Sequence, residues 1–137
     1  MDKTPITYRG AVYPWHCDHI GHMNVMHYVG KFDEATWNFF AIFDLTGRFL
    51  KENSRGMAAV EQNIIYKREL LPGETLFIQT TLLEIRDKVI KFRHEMFNNE
   101  TKELAASCEL TGVHMDTKAR KSTAFPSWFI EKAREFL

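Results

Sequence analysis

A long apolar segment followed by four alternating segments constrains the fold of this chain more than any other feature. Between Val25 and Leu45 the apolar side chains recur at steps of three and four, the spacing of one face of an α-helix. Further apolar residues, among them Trp37, extend beyond that face, which predicts a central helix wrapped on several sides. Asn24 suits the N-cap of this helix, and Gly47 suits its C-terminal stop.

After this segment the apolar period changes from that of a helix to that of a strand. The predicted strands cover Ile6–Tyr13, Met57–Tyr66, Thr75–Ile85, Lys88–Phe97 and Glu103–Met115. A terminal helix is predicted over Ser127–Leu137, capped by Ser127. An antiparallel sheet of about five strands around one central helix is the simplest way to bury that helix, so we expect an α+β fold. The open edges of such a sheet predict pairing with a second copy of the chain.

Length and charge limit the functions that the chain can have. Its 137 residues predict one domain over residues 1–137. Eighteen basic residues balance eighteen acidic ones, so no long-range field attracts nucleic acid or an anionic membrane. No apolar stretch approaches the ~20 residues that span a bilayer, and we expect a cytoplasmic protein. Cys17 and Cys108 lie far apart, and in a cytoplasmic chain they are expected to be two thiols rather than a disulfide.

A polar cluster immediately before the long helix is the candidate site of chemistry. It contains Asp18, His22 and Asn24. The free N–H groups and the dipole of a helix start form a positive pole that suits a developing oxyanion. An aspartate beside such a pole can attack a thioester carbonyl or deprotonate water, which is acyl-transfer chemistry. The alternative is that Asp18 and Asn24 only satisfy backbone amides of the loop and the helix end.

Other polar residues near the cluster have two interpretations each. His22 can hold a substrate carbonyl, orient water or hydrogen-bond to Asp18, or it can be a loop histidine bonded to backbone. Tyr28 can hydrogen-bond to a ligand or belong to the core. Of Glu61 and Gln62, one is expected to face the helix end or a dimer seam, and Glu61 is a candidate for water activation.

The same cluster also raises a metal site and a cysteine nucleophile as alternatives. Three histidines and a carboxylate are typical zinc ligands, but Pro14 and Gly21 interrupt any helix that would align them, and we predict no metal. Cys17 and Asp18 are adjacent on an extended segment and should point to opposite sides, so Cys17 is expected to be buried. Basic residues elsewhere can contact phosphates or simply be solvated. The basic clusters are Lys67 with Arg68, the residues from Arg86 to Arg93, and those from Lys118 to Lys121.

The segment from Asp18 to Tyr28 reads DHIGHMNVMHY and matches the pattern D-x-x-G-H-x-N-x-x-x-Y. In this segment the chain resembles the hotdog-fold thioesterases of the 4-hydroxybenzoyl-CoA thioesterase type and, more distantly, the acyl-ACP thioesterases. The acidic-small pair Glu34-Ala35 and the turn at residues 71–74 fit the same family. Many members carry two asparagines in succession, whereas the second position here is Val25.

The resemblance implies a helix wrapped by an antiparallel sheet, with dimers or tetramers that share active sites between subunits. It implies hydrolysis of an acyl-CoA thioester by Asp18, acting as nucleophile or general base, while N–H groups at the helix start polarise the carbonyl. His22 and Asn24 would shape the site, and neither a metal nor a redox cofactor is expected. The residues predicted to contact the substrate are Tyr28, Val25, Met26 and Glu61, and those predicted to hold the CoA phosphates are Lys67, Arg68 and Arg93.

Two other functions compete with hydrolysis. A hotdog domain can bind acyl-CoA or an acyl carrier without turnover. A hotdog dehydratase would need a catalytic histidine and an acidic residue in a pattern that this cluster does not reproduce. The acyl group, the choice between CoA and ACP, and the choice between dimer and tetramer do not follow from the sequence.

Overall fold

The structure is a computed structural model that describes residues 2–137. Its strands are β1 (Ile6–Ala11), β2 (Arg55–Tyr66), β3 (Thr75–Ile85), β4 (Val89–Asn98), β5 (Leu104–Asp116) and β6 (Lys121–Ser122). Its helices are α1 (Val25–Ile42), α2 (Gly47–Glu52) and α3 (Ser127–Arg134), and a single 3-10 turn covers Pro14–His16.

The strands form one antiparallel sheet in the order β1-β3-β4-β5-β2, with β6 paired to β5. Strands β3, β4 and β5 form a meander, while β1 and β2 are the two edges of the five-strand path. The predicted sheet around one long helix, with a further helix at the C-terminal end, is confirmed. The two-residue strand β6 was not predicted, because so short a segment has no measurable period.

The core lies between α1 and the concave face of the sheet. The helix buries residues at steps of three and four, including Phe32, Phe39 and Phe40. Along β4, Phe92 and His94 point to the helix, and Arg93 between them points away. The ring of Phe92 lies 5.5 Å from that of Phe39 and 5.6 Å from that of Phe40. Aromatic packing between a helix stripe and a strand face therefore fixes how α1 lies on the sheet.

The expectation that α1 is wrapped on several sides is wrong for the single chain. The sheet covers one face of the helix, and the opposite face leaves large apolar side chains in solvent. Met26 is 65% exposed and Trp37 is 41% exposed. The extra apolar residues in the sequence reflect a helix surface that this chain does not cover.

Several predicted element ends also differ from the structure. Gly47 does not stop α1; the helix ends at Ile42, and Gly47 begins α2 after the N-cap Thr46. Strand β1 ends at Ala11, two residues before the predicted end at Tyr13. The C-terminal helix starts at Ser127 as its first residue, with Pro126 in the N-cap position.

Candidate active site

A tight loop folds the chain back immediately before α1. Cys17 and Met23 form an isolated antiparallel bridge, and between them the N–H of Asp18 donates to the carbonyl of His22 at 3.3 Å. Gly21 has a φ of +99°, a backbone conformation that side chains rarely adopt, and its N–H donates to the carbonyl of Asp18 at 3.0 Å. The loop therefore returns Asp18 to the start of the helix.

Asn24 joins this loop to the helix with both ends of its amide. Its Oδ1 accepts from the N–H of Met26 at 3.0 Å, which confirms Asn24 as the N-cap of α1. Its Nδ2 donates to Oδ2 of Asp18, also at 3.0 Å. One side chain thus caps the helix and holds the carboxylate beside the positive helix end.

The carboxylate of Asp18 is held in its charged form. Its Oδ1 accepts a second hydrogen bond, from the N–H of Ile20 at 2.9 Å. The hydrogen bond from Asn24, and then that from Ile20, lower the pKa of Asp18 below its ordinary value. At neutral pH Asp18 is therefore an anion able to accept a proton or attack a carbon.

The first turn of α1 offers backbone N–H groups next to this anion. Asn24 accepts from the N–H groups of Met26 and His27, through its side chain and its carbonyl respectively. Within residues 2–137 the N–H of Val25 has no hydrogen-bond acceptor. A helix start with a free N–H is suited to hold a carbonyl oxygen that gains negative charge.

A cleft of about 580 Å³ empty volume opens beside this helix start. We call it the helix-start cleft. Its walls are His22, Met23, Val25, Tyr28, Tyr66, Lys67, Arg68 and Glu69. Asp18 is not one of its walls, but Asn24 anchors Asp18 to the same helix end that contributes Val25. Five of the residues singled out in the sequence therefore meet at one opening, since the turn after β2 passes over the first turn of α1.

The side chains of the helix-start cleft are held by specific contacts. The hydroxyl of Tyr28 donates to the carbonyl of Arg68 at 3.3 Å, and its buried ring lies edge-on to Tyr66 at 5.2 Å. Burial raises the pKa of Tyr28, so its hydroxyl stays protonated at neutral pH. Nδ1 of His22 lies 3.3 Å from the carbonyl of Met23. These contacts fit the alternative interpretations, in which Tyr28 is a core residue and His22 is a loop histidine bonded to backbone. Both side chains also border the helix-start cleft.

Three of the predicted contact residues lie apart from the cleft in this chain. Met26 points to solvent on the uncovered face of α1. Arg93 lies on the outer face of β4, 4.0 Å from the carboxylate of Glu95, because its neighbours along the strand face the helix. Glu61 lines a separate outer depression together with Lys91. The roles assigned to these residues stay predictions.

Comparison with known proteins places the chain in a family. The family described as the thioesterase-like superfamily matches residues 12–133. The chain belongs to the thioesterase-like superfamily. The match covers the loop with Asp18, α1 and the four strands β2 to β5, so the predicted hotdog family is confirmed.

Individual relatives agree with the superfamily. An L-carnitine dehydrogenase/betainyl-CoA thioesterase of Agrobacterium fabrum is 29% identical over 109 residues, which are 80% of this chain and 22% of the relative. The chain thus spans about a fifth of that protein. A putative thioesterase from Pseudomonas putida KT2440 superposes with a TM-score of 0.84 at 25% identity, over 99% of this chain and 86% of that one. A hypothetical protein from Staphylococcus aureus in complex with CoA has a TM-score of 0.91 at 19% identity, covering 97% and 84% of the two chains.

The structure also bears on the two alternatives that the sequence raised, a metal site and a cysteine nucleophile. Over residues 2–137 no group of three or more His, Cys, Asp and Glu side chains is placed to hold a metal ion. Nδ1 of His16 instead accepts from the N–H of Tyr13 at 3.0 Å. Cys17 is half-buried rather than buried as expected, with its thiol 3.7 Å from the carbonyl of Tyr13. The helices of the described residues lack the combination of length and apolar character needed to cross a bilayer.

The sequence did not single out a second cleft, which lies between the middle of α1 and strands β2 and β5. We call it the aromatic cleft. Its walls include Asp33, Trp37, Phe40, Met57, Gln62 and Phe92. Of the pair Glu61 and Gln62, it is Gln62 that faces the helix. The sequence signal for which of these two residues faces the helix was the alternation of apolar and polar residues along β2. An irregularity of register between Ala59 and Glu61 interrupts that alternation and changes which residue faces inward.

Proposed function

We propose that this chain hydrolyses acyl-CoA thioesters to the free acid and CoA. The observation that carries the proposal is the hydrogen bond of 3.0 Å from Nδ2 of the helix cap Asn24 to the carboxylate of Asp18. It holds an anionic oxygen beside backbone N–H groups at the start of α1. Membership of the thioesterase-like superfamily supports thioester chemistry at this place.

Asp18 has two routes to the same products. As a general base it takes a proton from water while the water oxygen bonds to the thioester carbon. As a nucleophile its own oxygen bonds to that carbon, and water then hydrolyses the mixed anhydride. In both routes the carbonyl oxygen becomes an oxyanion held by N–H groups such as that of Val25, and the C–S bond breaks as the electron pair leaves with the sulfur. The thiolate of CoA then takes up a proton.

The surrounding residues have positioning and binding roles in this proposal. Asn24 orients Asp18, and His22 borders the space for the reacting carbonyl. Lys67 and Arg68 line the mouth of the helix-start cleft, where they can contact CoA phosphates. No metal or cofactor is needed, because Asp18 supplies the base or nucleophile and the helix start supplies the oxyanion site. A cytoplasmic location and a homodimer or homotetramer with shared sites remain part of the prediction.

Release of free thiol from a panel of acyl-CoAs tests the proposal. The panel includes betainyl-CoA, because the name of the Agrobacterium fabrum relative contains that thioester. We expect hydrolysis of at least one member, and we expect Asp18→Asn to lower kcat/KM by roughly 10²- to 10⁴-fold. His19→Gln, a change in the exposed part of the same loop, is the matched control.

Two results would contradict the proposal. Full activity of Asp18→Asn would remove Asp18 from the mechanism. Tight binding of acyl-CoAs without turnover of any member would instead identify a domain that binds thioesters without hydrolysing them.

A further inference from the structure

The residues that line the aromatic cleft suit a cation with an apolar surface. The cleft holds about 490 Å³ when the space open to solvent is included. Three of its walls are aromatic rings set nearly at right angles: Trp37 to Phe40 at 5.9 Å and 89°, and Phe40 to Phe92 at 5.6 Å and 78°. Phe40 and Phe92 are buried, and Trp37 stands at the opening. Three aromatic rings therefore border one space, and the ring of Trp37 is the one open to a cation.

The charge of the cleft has the opposite sign to that cation. Asp33 lies one helical turn before Trp37 on the same face of α1, and both line the cleft. Within residues 2–137 Asp33 has neither an ion-pair partner nor a side-chain hydrogen bond. No Lys, Arg or His side chain of the described residues lines this space. A single unpaired carboxylate, exposed at the side of the cleft, thus gives its opening a negative charge.

The cleft offers few acceptors to a ligand that carries N–H groups. The hydroxyl of Thr36 is already engaged, 3.0 Å from the carbonyl of Phe32 and 2.8 Å from Nε2 of His94. Beyond Asp33, the other side-chain acceptors are Thr111 and Gln62, and Oε1 of Gln62 already accepts from the thiol of Cys108 at 4.0 Å. A primary ammonium needs three acceptors, whereas a quaternary ammonium needs none. Aromatic walls, one carboxylate and few free acceptors therefore suit a methylated ammonium, which needs no acceptor, and disfavour an anion.

The aromatic cleft and the helix-start cleft lie along the same seam between α1 and β2. Tyr28 and Tyr66 border the seam at the helix start, while Asp33 and Gln62 border it further along. Asp33 lies eight residues after Val25 on α1, a rise of about 12 Å along the axis. A group bound in the aromatic cleft can thus belong to the same molecule whose carbonyl lies at the helix start.

From these observations we propose that the aromatic cleft binds the acyl part of the thioester and selects acyl groups that end in a quaternary ammonium. The inference rests on the proposed hydrolysis and specifies its substrate class. A cation between Trp37, Phe40 and Phe92 would lie next to the carboxylate of Asp33. Neutral acyl groups of the same shape would fill the space without the electrostatic attraction.

The experiment compares each trimethylammonio-acyl-CoA with its neutral isostere, in which carbon replaces the nitrogen. The shortest pair is betainyl-CoA and 3,3-dimethylbutyryl-CoA, and longer spacers extend the series. We expect kcat/KM to favour the cation by about tenfold at the best spacer. That spacer measures the distance from the carbonyl to the cleft, and a short optimum would mean that the cleft of a partner subunit is used.

Matched variants connect the preference to the cleft. Asp33→Asn should remove most of the preference by slowing the cationic thioester, while the neutral isostere changes by less than about twofold. Trp37→Leu should also remove it. Glu34→Gln, which neutralises the adjacent carboxylate outside the cleft, should keep the preference.

A binding measurement separates this inference from the proposed hydrolysis. Tetramethylammonium chloride should change the tryptophan fluorescence relative to sodium chloride at equal ionic strength; Trp37→Leu should abolish that response, and Asp33→Asn should weaken it. If no thioester is hydrolysed, the proposed function fails, and this titration alone decides whether the cleft binds a quaternary ammonium. Equal kcat/KM for cation and isostere at every spacer, or no fluorescence response, would overturn the inference.

Discussion

At the scale of single residues, Asn24 is the most consequential side chain of the candidate site. Its Oδ1 caps α1 through Met26, and its Nδ2 holds Asp18. The stability of the helix start and the charge of the proposed catalytic carboxylate therefore depend on the two ends of one amide. A single substitution can separate these two functions, because aspartate is as good an N-cap as asparagine but cannot donate.

Asn24→Asp should keep the helix cap and impair catalysis. The new carboxylate still accepts from Met26, but it replaces the donor to Asp18 with a like charge, which raises the pKa of Asp18. We expect the acid limb of the kcat/KM profile to move to higher pH, and by linkage the two like charges should lower the melting temperature at neutral pH but not in acid, where the carboxylates are protonated. Asn24→Ala, which loses cap and donor together, should cost about 1 kcal/mol of stability as well. An unchanged pH profile for Asn24→Asp would show that the contact with Asp18 does not tune it.

Residues whose positions depend only on neighbours in the sequence could be predicted, whereas residues whose positions depend on the pairing of distant strands could not. Asp18, Gly21 and Asn24 lie within seven residues of one another, so turn and cap chemistry were enough to bring them together. Glu61 and Arg93 depend on which face of a strand they occupy. That choice needs the register of β2, with its irregularity near Val60, and the position of β4 in the sheet.

At the scale of elements, a buried polar chain joins α1 to the sheet. His94 on β4 is fully buried, with Nδ1 2.7 Å from the hydroxyl of Thr80 on β3 and Nε2 2.8 Å from that of Thr36 on α1. Thr80 in turn lies 2.8 Å from the hydroxyl of Thr7 on β1. Hydroxyl groups on both sides satisfy a neutral imidazole, whereas a charged one would be buried without an anion.

The free energy of unfolding should therefore fall in acid because of His94. Burial lowers its pKa from 6.5 to about 3 in the folded chain. Between these pH values the unfolded chain binds a proton that the folded chain excludes, so stability falls by up to about 1.4 kcal/mol per pH unit as the pH decreases. Above pH 6.5 the contribution is complete. His114 has a pKa that burial also lowers, and it adds a slope of the same sign.

Urea unfolding of the wild type and of His94→Gln between pH 4 and pH 7.5 checks this prediction. The variant should be less stable at neutral pH, because it loses a buried partner of Thr80 and Thr36, yet its stability should depend less steeply on pH. The comparison of slopes is thus independent of the cost of the substitution. Equal slopes for the two proteins would show that His94 becomes protonated in the folded chain.

The ends of elements show the limit of local sequence signals. Gly47 has the composition of a helix stop, but the chain leaves α1 earlier, through Asp44 with a φ of 63°. Thr46 then accepts from the N–H of Phe49 at 3.2 Å and starts α2. The period of α1 was clear from its buried stripe, whereas its end depends on how residues 43–46 pack against the C-terminal segment. Phe43, for example, lies 4.8 Å from the ring of Phe136, far away in sequence.

At the scale of the whole molecule, the chain leaves the β2 edge of its sheet open beside an open face of its helix. Strand β2 is an edge of twelve residues with Val60 60% exposed and Ile65 48% exposed. Beside it, the uncovered face of α1 carries Met26 and Trp37. An edge strand with unpaired backbone groups next to apolar side chains is a surface that a second copy can cover. The wide apolar surface of α1 that the sequence predicted as wrapped therefore fits an assembly better than a monomer.

The other edge of the sheet offers a matched control for this assembly. Val60→Lys places a charge in the middle of the β2 edge, and Ile6→Lys places one on the six-residue edge β1, where Ile6 is 41% exposed. We expect sedimentation velocity to show an oligomer for the wild type and Ile6→Lys and a monomer for Val60→Lys, with folded circular dichroism spectra in all three. Hydrolysis should fall roughly a hundredfold only in Val60→Lys, because sites shared between subunits lose their geometry. A monomeric wild type with full activity would contradict the proposed shared site, and dissociation of Ile6→Lys instead would move the interface to β1.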